Sequence, residues 1–262
     1  RTSPFAFTGN KFEFRMLGST FSVSGPNVVI NPIVAEALSS FADVLEKSTD
    51  FSKDLQNLIK KTIIDHKRII FNGNNYSDEW VAEAERRGLP NIKCMVDAVP
   101  ALVKPEAVEI FEKHGVYTKA EMESRAEVMY ETYSKTINIE ALTMIDMAKK
   151  QIVPATIKYQ TSLAESVNAI KAASSAVDTS VQEALMADIS TNLKDMYAAL
   201  AHLEEVAGKA EAMEEGAEQG HYYHDVVFAA MDELRKPADK LEMLVAKSAW
   251  PFPSYGDLIF EV

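Results

Sequence analysis

Residues 118–150 read TKAEMESRAEVMYETYSKTINIEALTMIDMAKK, and the first four of them set where a long helix begins. In Thr118-Lys119-Ala120-Glu121 the Thr hydroxyl and the Glu carboxylate satisfy each other's orphan backbone amides, the capping box of a helix start. The pattern predicts a helix from 118 to about 150. Beyond it, residues 151–262 hold 20 Ala and only four Gly, a bias that favours long helices over short ones. Three are predicted, over about 155–175, 177–214 and 221–248, with the acidic Glu214–Gly220 segment as the loop between the last two. Lys236-Pro237 is expected to kink or split the third, because proline removes a helix hydrogen bond. Long helices joined by a short loop predict an antiparallel bundle. The prolines of Trp250-Pro251-Phe252-Pro253 extend the end of the chain, and Leu258, Phe260 and Val262 alternate as a docked strand would.

Towards the N-terminus the elements shorten. Pro105 opens and Gly115 closes one helix, and Ser77 and Gly88 bracket another. Asp50 or Ser52 caps a helix over about 52–66 that presents Leu55, Leu58, Ile59, Thr62 and Ile63. Residues 32–47 place Ile33, Val34, Ala37, Leu38, Phe41, Val44 and Leu45 on one apolar face. Before these, the Thr8-Gly9-Asn10 turn separates residues 2–7 from the alternating Lys11–Met16, which reads as a β-hairpin. The expected fold is mainly α with a small β part: an N-terminal β-hairpin, then helices, then a long antiparallel helical bundle.

With 262 residues, 47% hydrophobic and 25% charged, the chain has the composition of an ordinary globular protein. Its net charge of −12 argues against a nucleic-acid backbone or an anionic membrane as partner. The charge is uneven. Residues 1–150 carry 19 basic and 21 acidic side chains, whereas 151–262 carry 8 and 18, so the net changes from −2 to −10. That step near Pro154 predicts two domains, 1–150 and 151–262. A lone Cys94 excludes an internal disulfide and a cysteine-held zinc, which points to the cytoplasm. No run of 18 or more apolar residues is expected to span a bilayer, and the N-terminus lacks the core of a signal peptide. The abrupt start at Arg1-Thr2-Ser3-Pro4, without Met, suggests a piece of something longer.

Common nucleotide signatures are missing: there is no GxxxxGK[ST] loop and no GxGxxG after a strand. His221 and His224 stand near Glu215 and Glu218, but three or four convergent metal ligands are not evident, so they read as surface or helix-start histidines. The methionines read as core filling, and the Asn75-Tyr76-Ser77 sequon as chance. Period two puts Lys11, Glu13 and Arg15 on one strand face. Two readings fit that face. It is either a solvated, self-compensating strand surface or a site where Glu13 holds a divalent cation, Arg15 forks a carboxylate and Lys11 meets phosphate.

Several separated blocks carry a family resemblance. Arg1-Thr2-Ser3-Pro4 followed by Asn10-Lys11-Phe12-Glu13-Phe14-Arg15 resembles the late catalytic segment of glutamine synthetase. Gly25-Pro26-Asn27 before the 32–47 helix and Gly115-Val116-Tyr117-Thr118 before the long helix agree with it. Ile137-Asn138-Ile139-Glu140-Ala141-Leu142 and Trp250-Pro251-Phe252-Pro253 are similar to the large type III subgroup. The resemblance implies that 1–150 is the C-terminal part of the catalytic domain, its hairpin a remnant of that domain, and that 151–262 is the type III helical extension.

It further implies an ATP-dependent ligase joining ammonia to L-glutamate through γ-glutamyl phosphate, with Mg²⁺ or Mn²⁺ as cofactor. Carried over by motif, Arg1 matches the catalytic arginine at the γ-phosphate and Lys11 a phosphate-contacting arginine. Glu13 matches a metal-ligating glutamate, and Arg15 the arginine that holds substrate glutamate. Two positions depart from the pattern: Ala6 replaces a second phosphate-site arginine, and Lys11 keeps a charge but loses the planar fork. The family's remaining ligands precede this segment, so the 262 residues alone are expected to be inactive. The resemblance also implies a homo-oligomer, a dodecamer of two hexameric rings. The competing function is a non-catalytic helical module for oligomerisation or interaction.

Overall fold

The computed structural model describes residues 5–7, 12–14, 22–71, 73–74, 77–253 and 255–260. The chain divides into two compact units, Arg1–Ala126 and Glu127–Val262. This division falls inside the long helix; the charge step near Pro154 is a separate, compositional boundary.

In the first unit, strands β1 (Phe5–Phe7) and β2 (Phe12–Phe14) pair antiparallel in the register Phe5↔Phe14, Ala6↔Glu13, Phe7↔Phe12. Five helices follow: α1 (Ser24–Leu45), α2 (Phe51–Asp65), α3 (Asp78–Arg86), the single turn α4 (Met95–Ala98) and α5 (Pro105–Lys113). The second unit takes its core from α6 (Lys119–Met147), α7 (Val153–Ala173), α8 (Ser180–Glu211), α9 (Ala217–Tyr222) and α10 (Phe228–Leu244), with α11 (Tyr255–Phe260) at the end.

The expected fold class is corrected here. The architecture is α. The described residues contain no β layer: the N-terminal pairing is three residues per strand with no third strand among them. Three or more strands are what an independent sheet needs. Helix, not sheet, organises both units.

Local sequence explains most helix ends. Asp50 caps α2 by accepting from the Lys53 amide at 3.2 Å. The Thr118–Glu121 box forms as its residues dictate: the Glu121 carboxylate accepts from the Thr118 amide at 2.8 Å, and the Glu121 amide donates to the Thr118 hydroxyl at 3.3 Å. Gly115, at φ 63°, supplies the left-handed turn that ends α5. Ser77 precedes α3, but its hydroxyl donates to the Asn74 carbonyl and does not cap the helix.

Four other expectations are revised. Helix α1 starts at Ser24, not 32, because Pro26 sits in the first turn, where a missing N–H costs nothing; Pro32 lies inside the helix and is buried. The helix begun at Thr118 does not end near 150. It passes through a π-helical turn, Ala148–Ile152, into α7, and this wider turn stands directly before Pro154, whose ring would clash with a regular α-helical carbonyl. Pro237 neither ends nor splits α10, which continues to Leu244 with Pro237 buried in the core. The tail is not a strand: residues 255–260 are helical, with Leu258 and Ile259 exposed.

The second unit's core is one cluster. Ile189, Met196, Leu200 and Leu203 of α8 meet Met231, Leu234 and Leu241 of α10, with Ile137, Ala141, Ala148 and Ile152 from the α6–α7 rod. Helix α7 runs antiparallel to α8, pinned by Gln160 Nε2 donating to the Met186 carbonyl at 3.3 Å and by the Lys171–Glu183 ion pair. A second π turn, Tyr223–Val227, joins α9 to α10 and buries Tyr223 and Val227, and burial pushes the Tyr223 phenol up. Trp250 and Phe252 pack on this core, so the proline-rich segment is docked as expected. The first unit has a small cluster only: Val108, Phe111 and Met122, with Val28, Val29, Ala107 and Tyr117 against them.

Candidate functional site

Glu13 occupies the middle of β2, in register with Ala6 of β1. Arg1, Lys11 and Arg15 lie outside the described residues, so the backbone places only Glu13 of the four expected site residues. Glu13 stands between Phe12 and Phe14 along the strand. Its register partner Ala6 is the position where the resemblance expects an arginine, so this rung carries one formal charge rather than an opposed pair.

Among the described residues, no group of three or more His, Cys, Asp or Glu side chains is placed to hold a metal ion. His224, half-buried in the Tyr223–Val227 turn with its ring 6.4 Å from that of Tyr133, meets Asp225 Oδ1 through Nδ1 at 2.7 Å. Cys94 Sγ is 3.0 Å from an Asp97 carboxylate oxygen.

The described polar clusters of the first unit fasten helices together. Glu36 of α1 receives Lys113 Nζ at 2.8 Å and contacts His114 Nε2 at 2.9 Å, both at the end of α5. These two partners hold the Glu36 carboxyl below the ordinary carboxylate range. The second cluster centres on Glu83, which takes Arg86 Nε at 2.6 Å and Arg87 Nε at 2.5 Å. The two guanidiniums lower its pKa to about 2. Arg87 Nη1 also donates to the carbonyls of Arg68 and Ile70, at 3.2 and 2.9 Å, and lies over the Trp80 ring, itself stacked on Phe71 at 4.0 Å. The first cluster was not visible in sequence, since Glu36 and Lys113 are 77 residues apart and no local pattern links them; in the second, Arg86 and Arg87 stand at the i+3 and i+4 positions from Glu83, a local helix spacing, and only the Arg87 contacts to Arg68 and Ile70 needed the fold.

Between α1 and α2 runs an open groove of about 710 Å³, lined by Phe41, Val44 and Leu58 with Ser40, Asn57 and Thr62. Its walls belong to the two faces that sequence periodicity marked as buried. In the structure much of those faces is exposed, including Ile33, Val34, Leu38 and Val44 of α1 and Ile59 and Ile63 of α2. Helix α1 is also long and apolar enough, by length and composition alone, to cross a membrane, although Glu36 and Asp43 interrupt it and it holds no run of 18 apolar residues.

Comparison with known proteins bears on all of this. Residues 54–171 match the model of the glutamine synthetase C-terminal domain. The chain is 38% identical over its whole length to a glutamine synthetase of Butyrivibrio fibrisolvens. It is 33% identical over 99% of its length to the type-3 glutamine synthetase of Dictyostelium discoideum, and 31% identical over 99% to a glutamine synthetase of Bacteroides fragilis. The chain spans 38%, 36% and 37% of those relatives, somewhat over a third of each. From the β1–β2 segment through the helical bundle the chain is thus similar to glutamine synthetases, and residues 54–171 carry the match to that family's C-terminal domain.

Proposed function

We propose that the chain is the C-terminal part of an ATP-dependent, type III glutamate–ammonia ligase, which forms glutamine through γ-glutamyl phosphate. The observation that supports this most is the 38% identity to a glutamine synthetase along the entire chain, the Glu13 strand included. The chemistry asks for what the N-terminal motif offers. Transfer of a phosphoryl group to a carboxylate brings anions together, so cations must meet the phosphate and a planar, two-pronged donor must orient the carboxylate. Arg1 and Lys11 take the first role in this reading, and Arg15 the second. Ammonia then displaces phosphate from the activated γ-carbonyl, which regenerates an anion that the same cations hold.

ATP is the co-substrate and Mg²⁺ or Mn²⁺ the cofactor. Glu13 is the residue of this chain assigned to the ion, and a hard cation takes six or more oxygens, so one carboxylate does not make its site. The described residues add no cluster to it. The 262 residues alone are therefore expected to be inactive. A homo-oligomer of two stacked hexameric rings, without nucleic acid or membrane partner, and a cytoplasmic setting complete the proposal.

The test is glutamine formation from glutamate, ammonia and ATP by a chain extended to the length of its relatives. Arg15→Lys should raise KM for glutamate far more than KM for ATP, since lysine cannot reproduce the paired donors. A ligase-active chain whose glutamate KM is unmoved by Arg15→Lys removes Arg15 from the site. A correctly folded extended chain without glutamine formation at any Mg²⁺ or Mn²⁺ level refutes the function.

A further inference from the structure

Hydroxyls within the helices of this chain share a habit. Thr62, Thr136, Thr143, Thr161 and Thr191 each donate to the carbonyl four residues back, at distances between 2.7 and 3.0 Å. Ser162 does the same three residues back. All six are exposed or half-buried, where water also serves them. Ser134 of α6 and Thr156 of α7 depart from the habit although they are 4% and 0% exposed, and neither hydroxyl has a hydrogen-bond partner. These are the hydroxyls that most need one, because an unpaired polar atom loses its hydration on burial and gains nothing in return.

Ser134 has company. The side-chain oxygen of Asn138 is also buried and unpaired. Asn138 lies four residues on, a spacing that sets two side chains on one helix face with Cβ atoms about 5–6 Å apart. Thr156 is the third such atom among the described residues, but its neighbour four positions on, Gln160, already donates to the Met186 carbonyl. Two of the three orphans therefore share one place. It is the bundle side of α6: Tyr130, Ile137 and Ala141 of the same stripe are buried, and the Tyr133 ring lies 6.4 Å from that of His224 in the second π turn. Asn138 also belongs to the Ile137–Leu142 block, to which the ligase reading gives no role.

The chemistry of the pair selects its ligand. An amide oxygen only accepts, whereas a hydroxyl donates and accepts, so the group between them must donate at least one hydrogen and span two oxygens on adjacent turns. Both atoms are closed to solvent, which leaves no path for a side chain of another molecule or for a metabolite. A hard cation asks for six or more oxygens, and no acidic cluster stands among the described residues to supply them. One water molecule is small enough, donates twice and is content with two to four polar partners. We propose that Ser134 and Asn138 hold one internal water molecule on the bundle side of α6. The water donates to Asn138 Oδ1 and shares its second bond with the Ser134 hydroxyl, in place of the back-bond that the exposed hydroxyls make. A polar pair is thereby accommodated inside a stripe that is otherwise apolar. Nothing in this depends on the ligase reading.

A high-resolution crystal structure of the 262-residue chain, with urea unfolding of its variants, tests the site. One solvent peak should lie about 2.5–3.0 Å from both Ser134 Oγ and Asn138 Oδ1, and Ser134→Ala should remove it. In unfolding, Ser134→Ala is read against Ser190→Ala, at an exposed position of α8 that makes the same gain in helix propensity. Relative to that control, loss of a water-bonded hydroxyl should raise the unfolding equilibrium constant about threefold to tenfold. Ser134→Ala combined with Asn138→Ala should cost less than the two single losses together, because either one alone already releases the shared water.

The opposite sign overturns the proposal: no peak, and an unfolding constant for Ser134→Ala that falls below the control, identify a dry orphan whose removal relieves the fold. A Ser134 hydroxyl turned onto the Tyr130 carbonyl also overturns it, since the helix then satisfies the group itself. So does a peak with five or more oxygen neighbours at about 2.0–2.6 Å, which is a cation. Strictly additive losses at 134 and 138 show two independent groups and overturn the shared water.

Discussion

Helices α1 and α8 are both long and regularly patterned in apolar residues, and they end in opposite circumstances. α1, with 22 residues, buries one; α8, with 32, buries Ile189, Met196, Leu200, Leu203, Val206, Ala207 and Ala210. The difference does not lie in the local pattern. It lies in what each stripe finds: α8 is flanked by α7 and α10 within its own unit, whereas the α1 stripe meets only part of α2 and α5. The first unit compensates with polar fastenings, Glu36 to α5 and Glu83 to Arg86 and Arg87, and the second relies on dry packing. Because exposed ion pairs are individually weak and buried side chains are not, the two units should respond to mutation on different scales.

The largest contrast should come from matched leucine truncations. Leu203→Ala, in the fully buried centre of α8, should destabilise the second unit by about 2–5 kcal/mol in urea unfolding. Leu38→Ala, at a position 61% exposed, should shift the same measurement in the 262-residue chain by no more than about 0.5 kcal/mol. A comparable loss at both positions would abolish the distinction between the units.

Next in size is a loss of function without a loss of fold. Glu13→Gln in the extended chain removes the charge that a hard cation needs while keeping the side chain's size, and should reduce glutamine formation by about 100-fold or more at limiting metal. Its unfolding midpoint should correspond to a change of at most about 1 kcal/mol. Activity within about twofold of the parent would leave Glu13 as an ordinary strand charge.

A smaller effect is expected where the long rod begins. Thr118→Ala removes the hydroxyl that accepts from the Glu121 amide and should cost about 1 kcal/mol, visible as faster hydrogen exchange confined to the first turns of α6. Exchange spreading to the α8 amides would mean that the two units unfold as one.

The smallest is a pH effect in the first unit. The Glu83 pKa is lowered from 4.5 to about 2 by Arg86 and Arg87. A depressed carboxyl stabilises the fold fully above its unfolded value, so this contribution is present above about pH 4.5 and is lost as pH falls towards 2. Glu83→Gln should slightly lower the stability of the α3 region above about pH 4.5 and converge with the parent as pH falls towards 2, so that its acid limb is flatter. An identical acid limb in both proteins would show that the pair contributes nothing to stability.

The sequence by itself determined the helix starts at Asp50 and Thr118, the turns at Gly88 and Gly115 and the helical character of 151–262. Each depends on residues within about four positions of one another, so capping chemistry, glycine's backbone freedom and helix propensity suffice to decide them. Tertiary structure decided the rest. Pro154 is accommodated by the π turn before it and by its place in the first turn of α7, and Pro237 lies inside α10 because it is buried in the core, which outweighs a lost backbone hydrogen bond. Alternation at Leu258 and Phe260 did not make a strand, since with no neighbouring strand to supply hydrogen bonds the backbone satisfies its own groups in a helix. The Glu36–His114 contact, the Arg87 hydrogen bonds to the Arg68 and Ile70 carbonyls, and the exposure of an α1 face that its periodicity marks as core depend on which distant segment comes to lie alongside. Amphipathicity says that a face needs a partner; only the arrangement of the chain in space says whether it has one.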